Sequence, residues 1–480
     1  MKKLLTAIVT TGLAGGALAL VDVQQVAHAD TAGTGSLRGV IKEKESGAAV
    51  PGATVIATSS SLQGEQSALA DESGGYYLTA LPPGVYTLTV YYNDTTFSRS
   101  NVLVQVGKEA VINIAVDTAA TKGEVITISG SAPIVDQGST KVGTTITSDF
   151  TNNVPTGRTF GAVMQETAGA QGDRYGVSFA GATSAENTFV VEGINTTDTG
   201  FGTISTNLPN EFVQETEVVT GGYNAEFGRA TGAIVNVVTK TGSNQFHGSV
   251  FGHLQNTSLT ATSKSILRQG TAIDSQTNQD YRYDVGAELG GPIIKDKLWF
   301  HVGFTPTFQK LTTTRIVNRN VDKLNNTTGA AMDGGDGVAD VDPATGFTVR
   351  EKVDSRDIPR TFNTYFFTAK LTGAISSNHQ WQISGFGNPA ADDDIATGLI
   401  HNPDALRAKI DTGAYDVSGK WTSKFAEGKT QIDAVVGFHN GFTKVKPLSS
   451  DTDVPAVVYN YTRSLYDFAD IEGTGIEGCN

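Results

Sequence analysis

The sequence lacks most of what disulfide scaffolds, metal centres and nucleic-acid binders are built from. Its 480 residues hold one cysteine, Cys479, which excludes a disulfide framework and any multi-cysteine metal site. Basic residues are the minority, 35 Lys and Arg against 49 Asp and Glu, for a net charge of −14. General nucleic-acid binders are more often basic, so no nucleic-acid partner is expected. Charge is sparse altogether, at 18% against roughly 25% in an average soluble domain. The motifs HExxH, GxSxG and GxxxxGK[ST] are all absent, so no zinc protease, nucleophile elbow or phosphate loop is legible. The histidines, at 28, 247, 253, 301, 379, 401 and 439, are scattered. His247 and His253 share one strand face but stand about 20 Å apart, too far to hold one metal. No catalytic residue is assigned, and the chain is not expected to be an enzyme. After the N-terminus no run approaches the roughly 18 apolar residues of a spanning helix. Proline is scarce, 14 residues, whereas glycine is abundant, 55 residues, without a G-X-Y period. That combination excludes collagen and predicts many tight turns.

What is present is mostly strand pattern, after an export signal. Residues 1–29 combine Lys2 and Lys3, an apolar run from Leu4 to Leu20 and the small-x-small site Ala27-His28-Ala29. They predict a cleaved signal peptide. Residues 30–118 hold short β-branched and aromatic runs, such as ATVIAT and GVYTLTVYY, punctuated by Pro51-Gly52, Gly74-Gly75 and Pro82-Pro83-Gly84. This spacing predicts a small β-sandwich. Residues 119–141 are small and polar around one apolar patch and predict a linker carrying a short extended segment. Residues 142–244 mix three short strands with a helix near Arg158 to Glu166, whose Phe160, Val163 and Met164 share a face. Beyond Gln245, segments of about ten residues alternate in period two. In LWFHVGFTPTF, Trp299, His301, Gly303 and Thr305 lie on one face, and Phe300, Val302 and Phe304 on the other. That is the pattern of a transmembrane β-barrel. The polar stretches Gln255–Gln279 and Thr312–Thr361 predict its long loops, and Ser376–Asn378 one of its short turns. The predicted class is mainly β: a seven-stranded N-terminal sandwich, an α+β domain at 142–244 and the first part of a barrel at 245–480.

Three segments together resemble a TonB-dependent outer-membrane receptor of the Oar-like kind. SGAAVPGATVIATSS and DESGGYYLTALPPGVYTLTV resemble a carboxypeptidase-regulatory-like domain. GEVITISG, Gly123 to Gly130, is similar to a TonB box, with Glu124, Val125, Ile126, Thr127 and Ile128 as its partner-binding residues. VPTGRTFGAVMQETAGA, FVVEGINTTDTG and EVVTGGYNAEFGRATGAIVNVVTKTGSNQFHGSV resemble the plug and its exit into the first barrel strand. The resemblance implies energised uptake of a bulky ligand across the outer membrane of a Gram-negative bacterium. The implied partners are the periplasmic domain of TonB, which would pair with the box by strand addition, and outer-membrane lipid. The competing reading is a secreted or surface-exposed adhesin or glycan-binding protein.

Barrels of this kind have about 22 strands, whereas seven candidates follow Gln245. The expectation is therefore an N-terminal portion of a longer receptor. No cofactor is expected, with one weak exception. Asp333, Asp336, Asp340 and Asp342 lie in MDGGDGVADVDPATG, and clustered carboxylates at glycine turns can hold Ca²⁺ through oxygen. The spacing is not that of an EF-hand, and a solvated acidic loop competes with it. The run Asp392, Asp393 and Asp394 predicts another solvated loop. The ligand itself is not legible.

Overall fold

The computed structural model describes residues 33–93, 95–117, 125–128, 141–223, 227–228, 230–261, 273–376, 378–396, 407–425 and 430–447. The expected signal peptide, Glu124 and Cys479 lie outside them.

The first domain is the expected sandwich. Its strands are β1 (Gly35–Glu43), β2 (Thr54–Ser59), β3 (Glu65–Leu69), β4 (Gly75–Leu81), β5 (Gly84–Tyr92), β6 (Thr95–Val104), β7 (Glu109–Val111) and β8 (Ile114–Val116). One sheet runs β4-β1-β7 with β8 also on β1, and the other runs β3-β2-β5-β6. β7 and β8 follow β1 in one parallel register, Ser36 opposite Glu109 and Ile41 opposite Ile114. They are a single strand interrupted at Ile112-Asn113. Alternation does the packing. Tyr86, Leu88 and Val90 point inward from β5 to meet Leu37, Val55 and Phe97. The two buried tyrosine hydroxyls are satisfied by backbone carbonyls, Tyr76 donating to Ile112 and Tyr86 to Pro82, each at 2.6 Å, so burial leaves no orphaned donor. A fifth strand, β9 (Val125–Ile128), lies parallel on the outer edge of β6.

The second domain contains β10 (Val142–Thr147), α1 (Ser148–Asn153), α2 (Phe160–Val163), β11 (Ala170–Gly172), β12 (Val177–Phe179), β13 (Thr188–Val191), β14 (Ile194–Asn195), β15 (Val213–Gly221) and β16 (Ile234–Thr239). Its main sheet runs β10-β15-β16-β13-β14. Phe160, Val163 and Met164 are buried on the expected helical face, and β16 is buried along its whole length. A strand covered on both faces reads as a continuous apolar run, IVNVV, rather than as an alternation. α1 was not predicted. It is a short polar turn capped by Thr147, whose hydroxyl accepts from the Phe150 amide, and it buries no residue, so no periodicity marks it.

The third part is one antiparallel sheet: β17 (His247–Asn256), β18 (Ile273–Ile294), β19 (Leu298–Asn320), β20 (Arg350–Ser376), β21 (His379–Gly387), β22 (Ala390–Ala396), β23 (Arg407–Phe425) and β24 (Thr430–Pro447). Both β21 and β22 lie between β20 and β23. They are one strand interrupted at Asn388-Pro389, and the sheet is a meander of seven. In β19, Trp299, His301, Gly303 and Thr305 are buried, while Val302 and Phe304 are exposed on the other face.

Outward aromatic residues mark two levels on this sheet. Tyr283, Phe308 and Tyr365 form one chain of ring contacts across β18, β19 and β20 at 5.1 and 6.2 Å. Tyr415 and Phe442 stack at 5.6 Å on β23 and β24. Phe246 and Phe300 meet at 6.4 Å towards the short-turn end. From Phe300 to Phe308 the strand rises roughly 27 Å, and a tilt near 40° brings that to about 21 Å, close to the ~25 Å apolar band of an outer-membrane barrel. Exposed Val302 and Phe304 fall between the two levels.

Two loop expectations are corrected. Residues 273–279 of the first stretch, and 312–320 and 350–361 of the second, are strand, because β18, β19 and β20 continue past the outer aromatic level as a paired ribbon. There both faces meet water, so polar residues such as Thr312 to Thr314 occupy either side and the alternation vanishes. The acidic run at 392–394 lies in β22, and Asp392 is buried against the Arg360 guanidinium, with Nε at 2.9 Å.

Candidate functional site

The second domain packs against the inner face of the strand meander, and charged groups fix it there. Glu192 sits in the tight turn between β13 and β14, where it and Gly193 take φ values of 51° and 77°. Such a turn can present a side chain sharply outward, although φ > 0 is costly for a residue with a Cβ. The carboxylate is fully buried. Its Oε1 accepts from the Thr239 amide at 2.7 Å, the Thr239 hydroxyl at 2.8 Å and Lys370 Nζ at 2.7 Å. Its Oε2 accepts from Gln382 Nε2 at 2.5 Å and lies 3.5 Å from Lys420 Nζ. Ser418 on β23 donates to the Glu192 carbonyl at 2.8 Å. One plug residue thus holds β20, β21 and β23. Burial pushes the Glu192 carboxyl towards the neutral form, but the Lys370 and Lys420 ammonium groups outweigh it and hold the pKa below the ordinary carboxylate range. A cavity opens beside the cluster, bordered by Thr372, Trp381 and Gln382.

Three carboxylates on the wall repeat one arrangement, each between a plug group and a histidine of the adjacent strand. Asp284 on β18 meets Arg158 at 3.2 Å and His253 at 2.9 Å. Glu288, four residues on and so on the same face, meets Lys240 at 2.6 Å, with His301 Nε2 at 3.3 Å. Asp416 on β23 accepts from the Thr206 hydroxyl at 2.5 Å and lies 2.6 Å from His439 Nδ1. Arg158 is also tied to Glu211 within its own domain at 2.5 Å. Apolar contacts join the same surfaces. Phe386 of the wall belongs to the plug core, and the Phe212 ring fills the space above Gly303, where a Cβ would come within 2.6 Å of it.

The sandwich closes the end with the short turns. Gln63 Nε2 donates to Thr241 at 2.7 Å, and Lys424 Nζ donates to Gln66 Oε1 at 2.7 Å. The Val106 amide donates to the plug residue Glu215 at 3.1 Å. Burial first, and the adjacent Glu217 in addition, push the Glu215 carboxyl up to about 8.

Comparison with known proteins agrees with this layout. A carboxypeptidase regulatory-like domain matches residues 36–117, and an outer membrane beta barrel domain matches residues 238–390. The chain is 34% identical over 440 residues to the TonB-dependent transporter Oar of Myxococcus xanthus, covering 86% of this chain and 40% of that protein. The chain belongs to the TonB-dependent receptors. It spans well under half the length of that relative. Two solved structures are also similar. The ferric enterobactin receptor PfeA is 12% identical, with 62% of this chain and 40% of that chain covered and a TM-score of 0.39. The pyoverdine outer membrane receptor FpvA of Pseudomonas aeruginosa PAO1 is 13% identical, with 65% and 48% covered and a TM-score of 0.34.

As a TonB-dependent receptor the chain is an outer-membrane protein of a Gram-negative bacterium, and its relatives are transporters and receptors rather than enzymes. Of the residues singled out by sequence, Val125, Ile126, Thr127 and Ile128 form β9 on the sandwich edge. The acidic loop is ordered by the paired bridges Leu324–Ala331 and Val341–Thr348. Its carboxylates act as turn caps. Asp340 accepts from the Lys323 and Leu324 amides, Asp336 from Asn326 and Val338, and Asp342 from Ala344. Among the described residues no group of three or more His, Cys, Asp or Glu converges as a metal site, so the Asp333, Asp336, Asp340 and Asp342 set is not gathered around one point. Glu192 was missed. Its signal was a lone acid between the apolar run FVV and a glycine, where a solvated charge has no place.

Proposed function

We propose that the chain is the plug-bearing front of an energised importer, in which TonB takes hold of residues 124–128 and pulls the plug partly off the barrel wall. The observation that carries this reading is the set of polar contacts that ties plug to wall beside the apolar ones at Phe386 and Phe212. Glu192, Arg158, Lys240 and Thr206 each bind the wall through charge or hydrogen bonds. Such contacts can be exchanged for water once the site is wetted, whereas an apolar seam of the same area could not be opened without exposing it. Release of Glu192 would free the β13–β14 turn and leave Lys370, Lys420 and Gln382 lining a passage beside the cavity described above. The bulky ligand would be recognised by the extracellular ribbon. The secreted adhesin reading has no use for a plug fixed to the inner wall of a lipid-facing sheet.

The test is a strand-addition assay. The full chain in outer-membrane preparations is mixed with the purified periplasmic domain of TonB. Ile126→Pro removes a backbone donor and fixes φ, and it should lower capture of that domain at least ten-fold while leaving outer-membrane levels unchanged. Equal capture by the variant would sink the TonB-box assignment.

A further inference from the structure

We propose that the β-sandwich is a built-in competitor for TonB: in the resting receptor it holds Val125–Ile128 on the β6 edge, and TonB engages this strand only after the sandwich lets go. The proposal rests on the reading of residues 124–128 as the TonB box.

The register is direct. Thr96, Phe97, Ser98 and Arg99 of β6 stand opposite Val125, Ile126, Thr127 and Ile128, in parallel. β9 completes a five-stranded sheet, β3-β2-β5-β6-β9, as its terminal strand. Strand addition to TonB draws on backbone N–H and C=O groups of the box, and β6 already occupies one edge of it. Both partners of the docked pair gain cover. β6 is a ten-residue strand, TTFSRSNVLV, with one charge and no proline, so it has few of the guards that keep a free edge from pairing with foreign chains. β9 reads VITI, four uncharged β-branched residues, a sequence that would itself seek an edge. Neither domain need unfold for release. The 129–141 segment between β9 and the plug can extend over roughly 45 Å at about 3.4 Å per residue, so an undocked box can leave the sandwich while the plug stays in place. The sandwich is itself held to the plug through Gln63 and to the barrel end through Lys424. It therefore keeps the box near the receptor until a stronger edge is offered.

The experiment is a reversible lock. Ser98→Cys and Thr127→Cys are placed together in the full chain with Cys479→Ser, since these two positions are register partners. Adjacent strands place them within disulfide reach. A Thr96→Cys, Thr127→Cys pair, offset by two residues and about 8 Å apart, is the control. The expected result is efficient disulfide formation in the first pair and at least ten-fold less in the second. The oxidised lock should bind the TonB periplasmic domain at least ten-fold more weakly, with recovery on reduction. A first pair that links no better than the control would overturn the proposal. So would unchanged TonB binding by the oxidised lock, which would mean that TonB uses the outer edge of β9 while β6 keeps the inner one. In the unmodified chain, those amides among Thr96–Arg99 that point to β9 rather than to β5 should exchange at least ten-fold faster on saturation with the TonB domain, and unchanged protection of these amides would again overturn it. A peptide of residues 123–130 separates the two readings. If it fails to bind the TonB domain, the box assignment itself is wrong. If it binds while the lock has no effect, only the competition is wrong.

Discussion

At the scale of single residues, the plug is held by side chains that would be liabilities anywhere else in the molecule. A buried carboxylate survives only when its lone pairs and its charge are both met. The Glu192 carboxylate has four hydrogen-bond donors on it, one of them the Lys370 ammonium, and the Lys420 ammonium beside it. Glu192→Gln keeps the shape and removes the charge, leaving Lys370 without its counter-charge in the interior. It should weaken plug docking by about 3–5 kcal/mol, read as a lower urea midpoint for release of the plug from the barrel. Adding Lys370→Met should recover part of that loss, because the two residues are coupled and their effects do not add. Equal losses in the single and double variants would show that the pair is not the anchor. The sequence announced only part of this. An acid inside FVVEGIN stands out, but its partners lie about 180 to 230 residues away on three different strands, a separation no local pattern reports. The wall histidines are a similar case. They are scattered in sequence, yet His253, His301 and His439 each face a carboxylate on the neighbouring strand.

At the scale of elements, the barrel strands show why glycine and aromatic residues occur together. Four glycines stand directly opposite an aromatic ring in the antiparallel register: Gly286 with Phe251, Gly290 with His247, Gly373 with Trp381 and Gly387 with Phe367. In each, the ring lies where the missing Cβ would be. At Gly373 a Cβ would come within 2.3–2.5 Å of the Trp381 indole. The ring covers backbone that glycine would otherwise leave bare. Gly373→Ala should therefore displace Trp381 and cost about 1–3 kcal/mol as an overpacked site, seen as a lower temperature for loss of the folded band in a heat-modifiability gel. A combined Gly373→Ala, Trp381→Leu variant should be closer to wild type. Element positions inside the apolar band were legible, because lipid on one face and plug on the other enforce alternation. Outside the band they were not. The outer halves of β18, β19 and β20 read as loops in the sequence because water on both faces removes the pattern while the backbone pairing persists.

At the scale of the whole molecule, the sandwich, plug and wall form one contact system with a titratable junction. Glu215 has its carboxyl pushed from the usual value up to about 8, chiefly by burial. The folded state then binds a proton that the unfolded chain has released above the ordinary carboxylate range. Stability contributed there is full below about pH 4.5 and declines as pH rises towards 8, on the order of a few kcal/mol. The Val106 amide favours the ionised carboxyl and offsets only part of the burial cost, so the junction should open more often over that interval, measured as faster exchange of the Val106 amide after correction for intrinsic rate. Glu215→Gln should flatten the dependence, and a profile unchanged by that substitution would assign the titration to another group. The domain order itself was readable, since each domain has its own texture: turn-punctuated sandwich, continuous apolar plug strands, aromatic-alternating wall. The docking of one domain on another was not, because it is made by single polar residues such as Gln63, Lys424 and Glu215, which look like surface positions in the sequence.

The position of the sandwich has a mechanical consequence. It is bonded both to the plug, at Glu215 and Thr241, and to the end of the wall, at Lys424. A plug leaving as a rigid body through that end would have to strip this folded block away first. A local displacement of the β13–β14 turn would leave the block where it is. Load applied to the tether is therefore steered towards a small, repeatable opening, and the sandwich serves as a limit stop on how far each stroke can travel.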